Sequence, residues 1–273
     1  MNKTRLWVIL ALIGLIATAI VAAGCGGDDD DENGEELGLI QEGQLLVGTD
    51  TPFPPFEIGQ PPDITGYDID VMNAIAENLG LEVEYQDTSF DTIFRDVANR
   101  QFDIAAAAST ITDGRERTVD FSDPYYEAQQ ALLVPEGSDI ASVEDLSGAI
   151  VGAQDATTGE AYANDETDAS EVRGFPEGPD AIAALRTGQV DAVIIDQPVA
   201  VDALEKQGGV EIAEEISTDE LYGFAMPPGA PLVEEVNEAL TELKEDGTIT
   251  ELYGEYFNTE PPDSVLEGTH EPT

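Results

Sequence analysis

Basic residues are scarce in this 273-residue chain. Lysine and arginine number 10 against 58 aspartates and glutamates, for a formal net charge of −48. Such a field repels nucleic acid and anionic membrane surfaces, so neither is expected as a binding partner. Cysteine occurs once, as Cys25, which excludes a disulfide framework and any multi-cysteine metal site. Histidine occurs once, as His270 in a polar C-terminal stretch, which removes most histidine-based acid–base and zinc chemistry. The motifs G-x-x-x-x-G-K-[ST], H-E-x-x-H and G-x-S-x-G are missing too. The expectation is therefore no metal, no cofactor and no catalytic residue.

What is present is a folded body. Hydrophobic residues make up 41% of the chain, enough for a packed core. The acids are spread along segments with clear apolar periodicity rather than gathered in one solvating tail. The length accommodates one or two ordinary lobes. At molar salt the Debye length falls to about 3 Å, so self-repulsion is screened. In dilute buffer the same repulsion works against the compact state. The composition fits a halophilic source with an acidic proteome.

The N-terminus reads as an address. Lys3 and Arg5 precede an uncharged, largely apolar run over residues 6–23, the pattern of a secretory signal. At 18 residues the run is also just long enough for a membrane span. Ala22-Ala23-Gly24-Cys25 resembles a lipobox, in which the cysteine is lipidated and becomes the mature N-terminus. An uncleaved anchor helix is the alternative, and on either reading the remaining chain is outside the cell and tethered to its membrane. Residues 26–43 begin with glycines and a run of acids, which makes a self-repelling flexible linker. Its coil spans about 23 Å. All 58 acids but only eight of the ten basic residues lie after Cys25, leaving −50 on the mature chain.

The body alternates strand and helix. Residues 45–49 predict a strand and the proline- and glycine-rich 51–66 a loop. Asp68 is expected to cap a helix with Ile69, Met72, Ile75, Ala76 and Leu79 on one face and Gly80 after it. A strand over 81–85, a helix over 91–100 and a strand over 102–107 follow. This βαβαβ order argues for a mainly parallel sheet with helices on both faces. A second series comprises a strand at 149–153, a helix from Gly159, a helix over 179–187, a strand over 190–195 and a helix over 198–207. Two α/β lobes are expected, with a switch near 125–135 and a return to lobe one near 222–226. An amphipathic helix over 231–246 and a short helix to about Tyr256 come next. Residues 259–273 are expected to form a disordered tail.

Five segments carry a family resemblance. Gly48-Thr49-Asp50-Thr51-Pro52-Phe53-Pro54-Pro55-Phe56-Glu57 resembles the first-strand motif of polar amino-acid-binding proteins of ABC importers, solute-binding protein family 3. Gly66-Tyr67-Asp68-Ile69-Asp70 is similar to their G-[FY]-D-x-D helix start, and Thr110-Ile111-Thr112-Asp113-Gly114-Arg115 to their T-I-T-x-x-R turn. Phe121-Ser122-Asp123-Pro124-Tyr125-Tyr126 resembles F-[ST]-x-P-Y-Y, and Val190-Asp191-Ala192 with Asp196 resembles D-A-x-x-x-D. The segments keep the family's order over about residues 44–258, and the overall pattern is nearest to glutamine-binding proteins. The resemblance implies a bilobal, type II periplasmic-binding-protein-like α/β fold with two crossover segments and a cleft that closes by hinge motion. Lobe one would comprise residues 44–127 and 222–258, and lobe two residues 128–221.

It also implies a site. A free amino acid brings a carboxylate and an ammonium, so its cleft needs a fixed cation, a fixed anion and backbone partners. Arg115 is the expected carboxylate clamp, because guanidinium binds carboxylate bidentately; Arg117 is expected to be solvated. Asp196, after an apolar strand, matches the family's ammonium ligand, with a helix N-cap role as the alternative. Ala107, Ser109 and Thr110 resemble the groups holding both charged ends. Thr157 and Thr158 resemble the lobe-two loop at a helix start, a seat for a carboxylate or simply an N-cap. Phe53 and Phe90 match the aromatic walls, against the ordinary alternative of core packing. Asp50 and Gln154 would face the ligand's side chain, favouring a polar, non-acidic one. Gln154 and Ile195 stand where glutamine-binding proteins carry a lysine and a histidine, which leaves glutamine, histidine, arginine and lysine open.

The implied protein is a lipid-anchored monomer that hands an amino acid to the permease of an ABC importer. An enzyme of the same fold, dehydratase-like, is the alternative from a different class, and an amino-acid-sensing ectodomain is a third. From composition alone, the unfolding temperature is expected to rise between dilute buffer and molar salt. An unchanged unfolding temperature would contradict the reading of the acidic surface.

Overall fold

The computed structural model describes residues 37–270, with the side chain of Gln207 excepted. Cys25, the apolar run before it and most of the acidic linker lie outside the described residues. In chain order the strands are β1 (Gln44–Thr49), β2 (Ile58–Gln60), β3 (Asp63–Thr65), β4 (Glu82–Asp87), β5 (Ile104–Ala105), β6 (Asp120–Phe121), β7 (Tyr126–Pro135), β8 (Ile150–Gln154), β9 (Glu171–Phe175), β10 (Ala192–Asp196), β11 (Val210–Tyr222) and β12 (Ala225–Met226). The helices are α1 (Tyr67–Asn78), α2 (Phe90–Ala98), α3 (Asp113–Glu116), α4 (Thr158–Asp165), α5 (Gly178–Arg186), α6 (Gln197–Gln207), α7 (Leu232–Glu245), α8 (Thr248–Phe257) and α9 (Asp263–Leu266).

Two five-stranded sheets carry the body. The first has the order β4-β1-β5-β12-β6 and the second β11-β7-β10-β8-β9. In the first, β1 runs parallel to β4 and β5. In the second, β8 runs parallel to β9 and β10. Parallel strands need crossover helices, and the apolar faces of α1, α2, α5 and α7 supply them with buried cover. The long strands β7 and β11 pass between the lobes and pair antiparallel from Tyr222↔Tyr126 to Val210↔Pro135.

Some expectations change in contact with the structure. Helix α1 begins after Gly66, not at Asp68, which lies inside the helix and is fully buried. Gly66 has φ +132°, and a Cβ there would sit 2.0 Å from the Phe56 carbonyl oxygen, so only glycine makes this entry. Asp68 instead accepts from the Ala108 N–H at 2.8 Å and the Tyr125 hydroxyl at 2.7 Å. The strand expected over 102–107 shrinks to Ile104–Ala105, because Ala108 turns the chain with φ +43°.

The expected tail is also corrected. Residues 259–270 pack on the body: α9 forms there, Val265 is completely buried and Pro261 is buried. The Ser264 hydroxyl bonds Glu127, and the His270 ring lies 3.0 Å from a Glu116 oxygen. Two prolines and a glycine read as disorder, yet a single buried valine with local polar anchors is enough to hold so short a segment. The linker expectation shortens likewise. Leu37 joins the core, and the Ile40 N–H donates to Asp103 at 2.8 Å.

Candidate ligand-binding cleft

The site forms where strands end. Asp50 follows β1, Ala107 to Thr110 follow β5, Gln154 closes β8 and Asp196 closes β10. Open α/β sheets place ligands beyond the carboxyl ends of their parallel strands, where helix starts and loops converge. Between the lobes these residues, Ser109 excepted, border a narrow cavity. Phe53, Phe90, Arg115, Thr157 and Thr158 complete its walls together with Ala108, which sequence reasoning did not single out.

Arg115 is the only arginine or lysine lining the cavity among the described residues. The short helix α3 carries it, and the Thr112 hydroxyl caps that helix by accepting the Arg115 N–H at 3.2 Å. Its guanidinium lies over the Phe90 ring at 5.1 Å and the Phe94 ring at 4.6 Å, where the π-faces favour a cation. Nη1 donates to the Thr110 carbonyl at 2.7 Å. Nη2 reaches across to the Ala156 carbonyl of lobe two at 3.1 Å. Desolvation lowers its pKa to about 10, so it stays charged at neutral pH. Arg117 is exposed, as the sequence implies.

Two buried carboxyls face it. Asp196 occupies the N-cap position of α6, but its side chain makes no capping bond and Oδ1 instead accepts from Gln130 Nε2. Burial, helped by the neighbouring Glu220, raises its pKa to about 7. Asp50 Oδ2 accepts from Gln154 Nε2 at 2.6 Å, a second bond between the lobes. Burial raises Asp50 to about 7 against the lowering effect of that bond, with Asp87 and Glu177 adding like charge nearby. A desolvated carboxyl resists ionisation; Arg115 offsets this only in part at Asp196, and an incoming positive group would relieve both.

The other expected residues divide by role. The Thr157 hydroxyl caps α4 by accepting from Glu160 N–H at 3.1 Å, so the bland alternative describes its side chain well. The Thr110 and Thr158 hydroxyls each donate to Glu220 at 2.7 Å. Ser109 is fully buried and its hydroxyl turns back to the Ala107 carbonyl at 3.3 Å, so the structure leaves its side chain out of the cavity wall. Phe53 and Phe90 border the cavity while nearly buried, at 7% and 6% exposure, so they serve wall and core at once. Phe53 also meets lobe two: a Cβ on Gly178 would lie 2.9 Å from its ring. Ile195 is buried in the core beside that same glycine.

Sequence reasoning missed Glu220 and Gln130. One of 58 acids carries no signal of its own, and neither residue belongs to a resembling motif. Their place on the crossover strands emerges only from the topology.

The chain matches the bacterial extracellular solute-binding proteins, family 3, over residues 45–259. It is 32% identical over 265 residues to the ABC transporter glutamine-binding protein GlnH of Bacillus subtilis, covering 92% of this chain and 97% of that one. Among solved structures, an ancestral arginine-binding protein bound to arginine is 39% identical with a TM-score of 0.75, over 79% of this chain and 98% of that one. The arginine-, lysine-, histidine-binding protein ArtJ from the thermophilic bacterium Geobacillus stearothermophilus is 34% identical with a TM-score of 0.77, over 82% and 99%. The two solved structures share the fold of this chain. This chain is a member of the bacterial extracellular solute-binding proteins, family 3.

Proposed function

We propose that this chain captures a polar, non-acidic amino acid, with a cationic one favoured, and delivers it to the permease of an ABC importer. The observation that carries the reading is the charge set of the cleft. One guanidinium, Arg115, faces two separately held carboxyls, Asp196 and Asp50, with Phe53 and Phe90 as walls. The ligand carboxylate goes to Arg115 and the N–H groups opening α4. The ammonium goes to Asp196. The side chain lies between the two phenylalanines, and its polar end meets Asp50 and Gln154. Asp87 and Glu177 near Asp50 favour positive charge there and disfavour glutamate or aspartate. Cys25 would carry the lipid that keeps the receptor at the extracellular face of the membrane, and the acidic surface fits an external medium of molar salt.

A thermal-shift screen of the common amino acids in molar salt tests the reading. Arginine, lysine, histidine or glutamine is expected to raise the unfolding temperature. Stabilisation by aspartate or glutamate alone, or by none, would overturn it. For the ligand found, affinity is expected at the micromolar level or tighter, about −8 kcal/mol or better. Arg115→Ala and Asp196→Ala are each expected to cost about 2–5 kcal/mol, since each leaves a ligand charge buried and unpaired. Calorimetry showing full affinity for either variant would refute that assignment.

The pH dependence has a definite sign. Asp50 and Asp196 titrate near 7 in the folded protein and are ionised when paired with positive charge. Binding a cation therefore lowers both pKa values and releases protons around pH 7, so affinity should weaken as pH falls from 8 to 5. Calorimetry in buffers of different ionisation enthalpy reads this directly; a binding enthalpy independent of buffer at pH 7 would count against it. For the anchor, Cys25→Ser is expected to move the protein from the membrane fraction into the medium in an expressing host, and unchanged fractionation would argue for a retained helix.

A further inference from the structure

We infer that Glu220 latches the closed cleft: from the crossover strand, its carboxylate holds one hydroxyl of each lobe against the hinge. The strand pairing explains how it reaches that place. Ile216 pairs with Gln130 and Glu220 with Ala128, so three residues of β11 lie opposite Gln129 alone. Asp219 takes a left-handed φ of +47°, unusual for a non-glycine residue. An irregularity of this kind re-aims the next side chain, and Glu220 is only 8% exposed.

Three donors converge on the two oxygens. Oε2 accepts from Thr110 Oγ1 and Thr158 Oγ1, each at 2.7 Å. Oε1 accepts from Gln130 Nε2 at 3.2 Å. Such convergence suits an acceptor-only carboxylate. Thr110 belongs to lobe one and is bound to the hinge independently, since the next residue, Ile111, donates its N–H to the Leu221 carbonyl at 2.8 Å. Thr158 opens α4 of lobe two. Thr110 and Thr158 sit on different lobes, so when the lobes part Glu220 can keep only one of the two hydroxyls. Opening therefore breaks a bond to a carboxylate that is at least half-buried, and closure restores it.

The latch also touches recognition. Gln130 Nε2 donates to both Glu220 and Asp196, so one amide ties the hinge carboxylate to the proposed ammonium ligand. Glu220 is absent from the cavity wall. It acts through Thr158 and Gln130 and is a positioning residue.

The test needs two readouts in molar salt. Glu84 on β4 and Glu171 on β9 are exposed, one on each lobe, and suit spin labels after Glu84→Cys, Glu171→Cys and Cys25→Ser. In this background Glu220→Ala is expected to move the inter-lobe distance distribution toward longer values. It should also speed release of the amino acid found in the screen about tenfold, with the association rate changed far less. Thr158→Val, which removes only the lobe-two hydroxyl, should open the cleft in the same direction. Parental distances and parental release rates in a Glu220→Ala protein that keeps its unfolding temperature would overturn the latch. If Glu220→Ala does not fold, the same two measurements on Thr158→Val decide. The distances are read without ligand as well as with it, so the latch is judged even if no amino acid binds, an outcome that would instead overturn the proposed function.

Discussion

The cleft depends on one constraint: both passages between the lobes are strands, and they are hydrogen-bonded to each other. β7 and β11 form a single antiparallel ribbon, so the lobes can swing but cannot slide independently. Within lobe two the ribbon is part of the sheet, with β7 also pairing β10. At lobe one it ends in Tyr126 and Tyr222, which sit opposite each other. The pairing lapses between Ile216 and Glu220, where chain irregularity can absorb a change of dihedral angles while the sheets stay rigid.

An aromatic collar fixes the pivot. Tyr126 meets Phe56 edge-on at 5.0 Å, Tyr253 at 5.2 Å and Phe257 at 4.6 Å, while Tyr125 stacks on Phe224 at 4.0 Å. Beneath the collar lies a carboxyl pair. Glu57 and Asp68 are both fully buried, and Glu57 is pushed well above the usual carboxylate range by desolvation and by Asp68 beside it. A neutral acid next to a carboxylate is the arrangement a dry interior permits. Asp68 in turn holds the N–H of Ala108, whose left-handed backbone sets the direction of Ala107, Ser109 and Thr110. Glu57 of the first-strand motif and Asp68 of the helix-start motif thus support the binding loop from below, while Asp50 and Phe53 of the first-strand motif line the cavity itself.

This division explains what was legible in the sequence. The two lobes, the alternation of elements and ten of the cavity-lining positions are legible: Asp50, Phe53, Thr110, Arg115 and Asp196 sit in the ordered motifs, and Phe90, Ala107, Gln154, Thr157 and Thr158 lie close to strand ends. Ser109 enters the expected site through the family resemblance alone; its rotamer, folded back on Ala107, has no sequence signature. Glu220 and Gln130 were illegible for a different reason. Their partners lie 110 and 66 residues away in the chain, at Thr110 and Asp196, and only the ribbon brings them together. Composition predicts a disordered tail over 259–273 because it reports solvation, whereas one buried side chain, Val265, anchors the described part to residue 270.

The same charge behaves oppositely on the surface and in the cleft. Most of the 58 acids belong to a body whose exposed charges are separated by water, and molar salt shortens their reach to about 3 Å. Arg115, Asp196 and Asp50 are held in a desolvated gap, where screening is weaker than at the surface. Salt that quiets the surface would therefore leave the proposed pairing of a ligand's charges with these three groups largely intact. On the proposed reading, a strongly acidic exterior is compatible with recognition, because the three charged groups lie in a desolvated region where screening is weaker than at the surface.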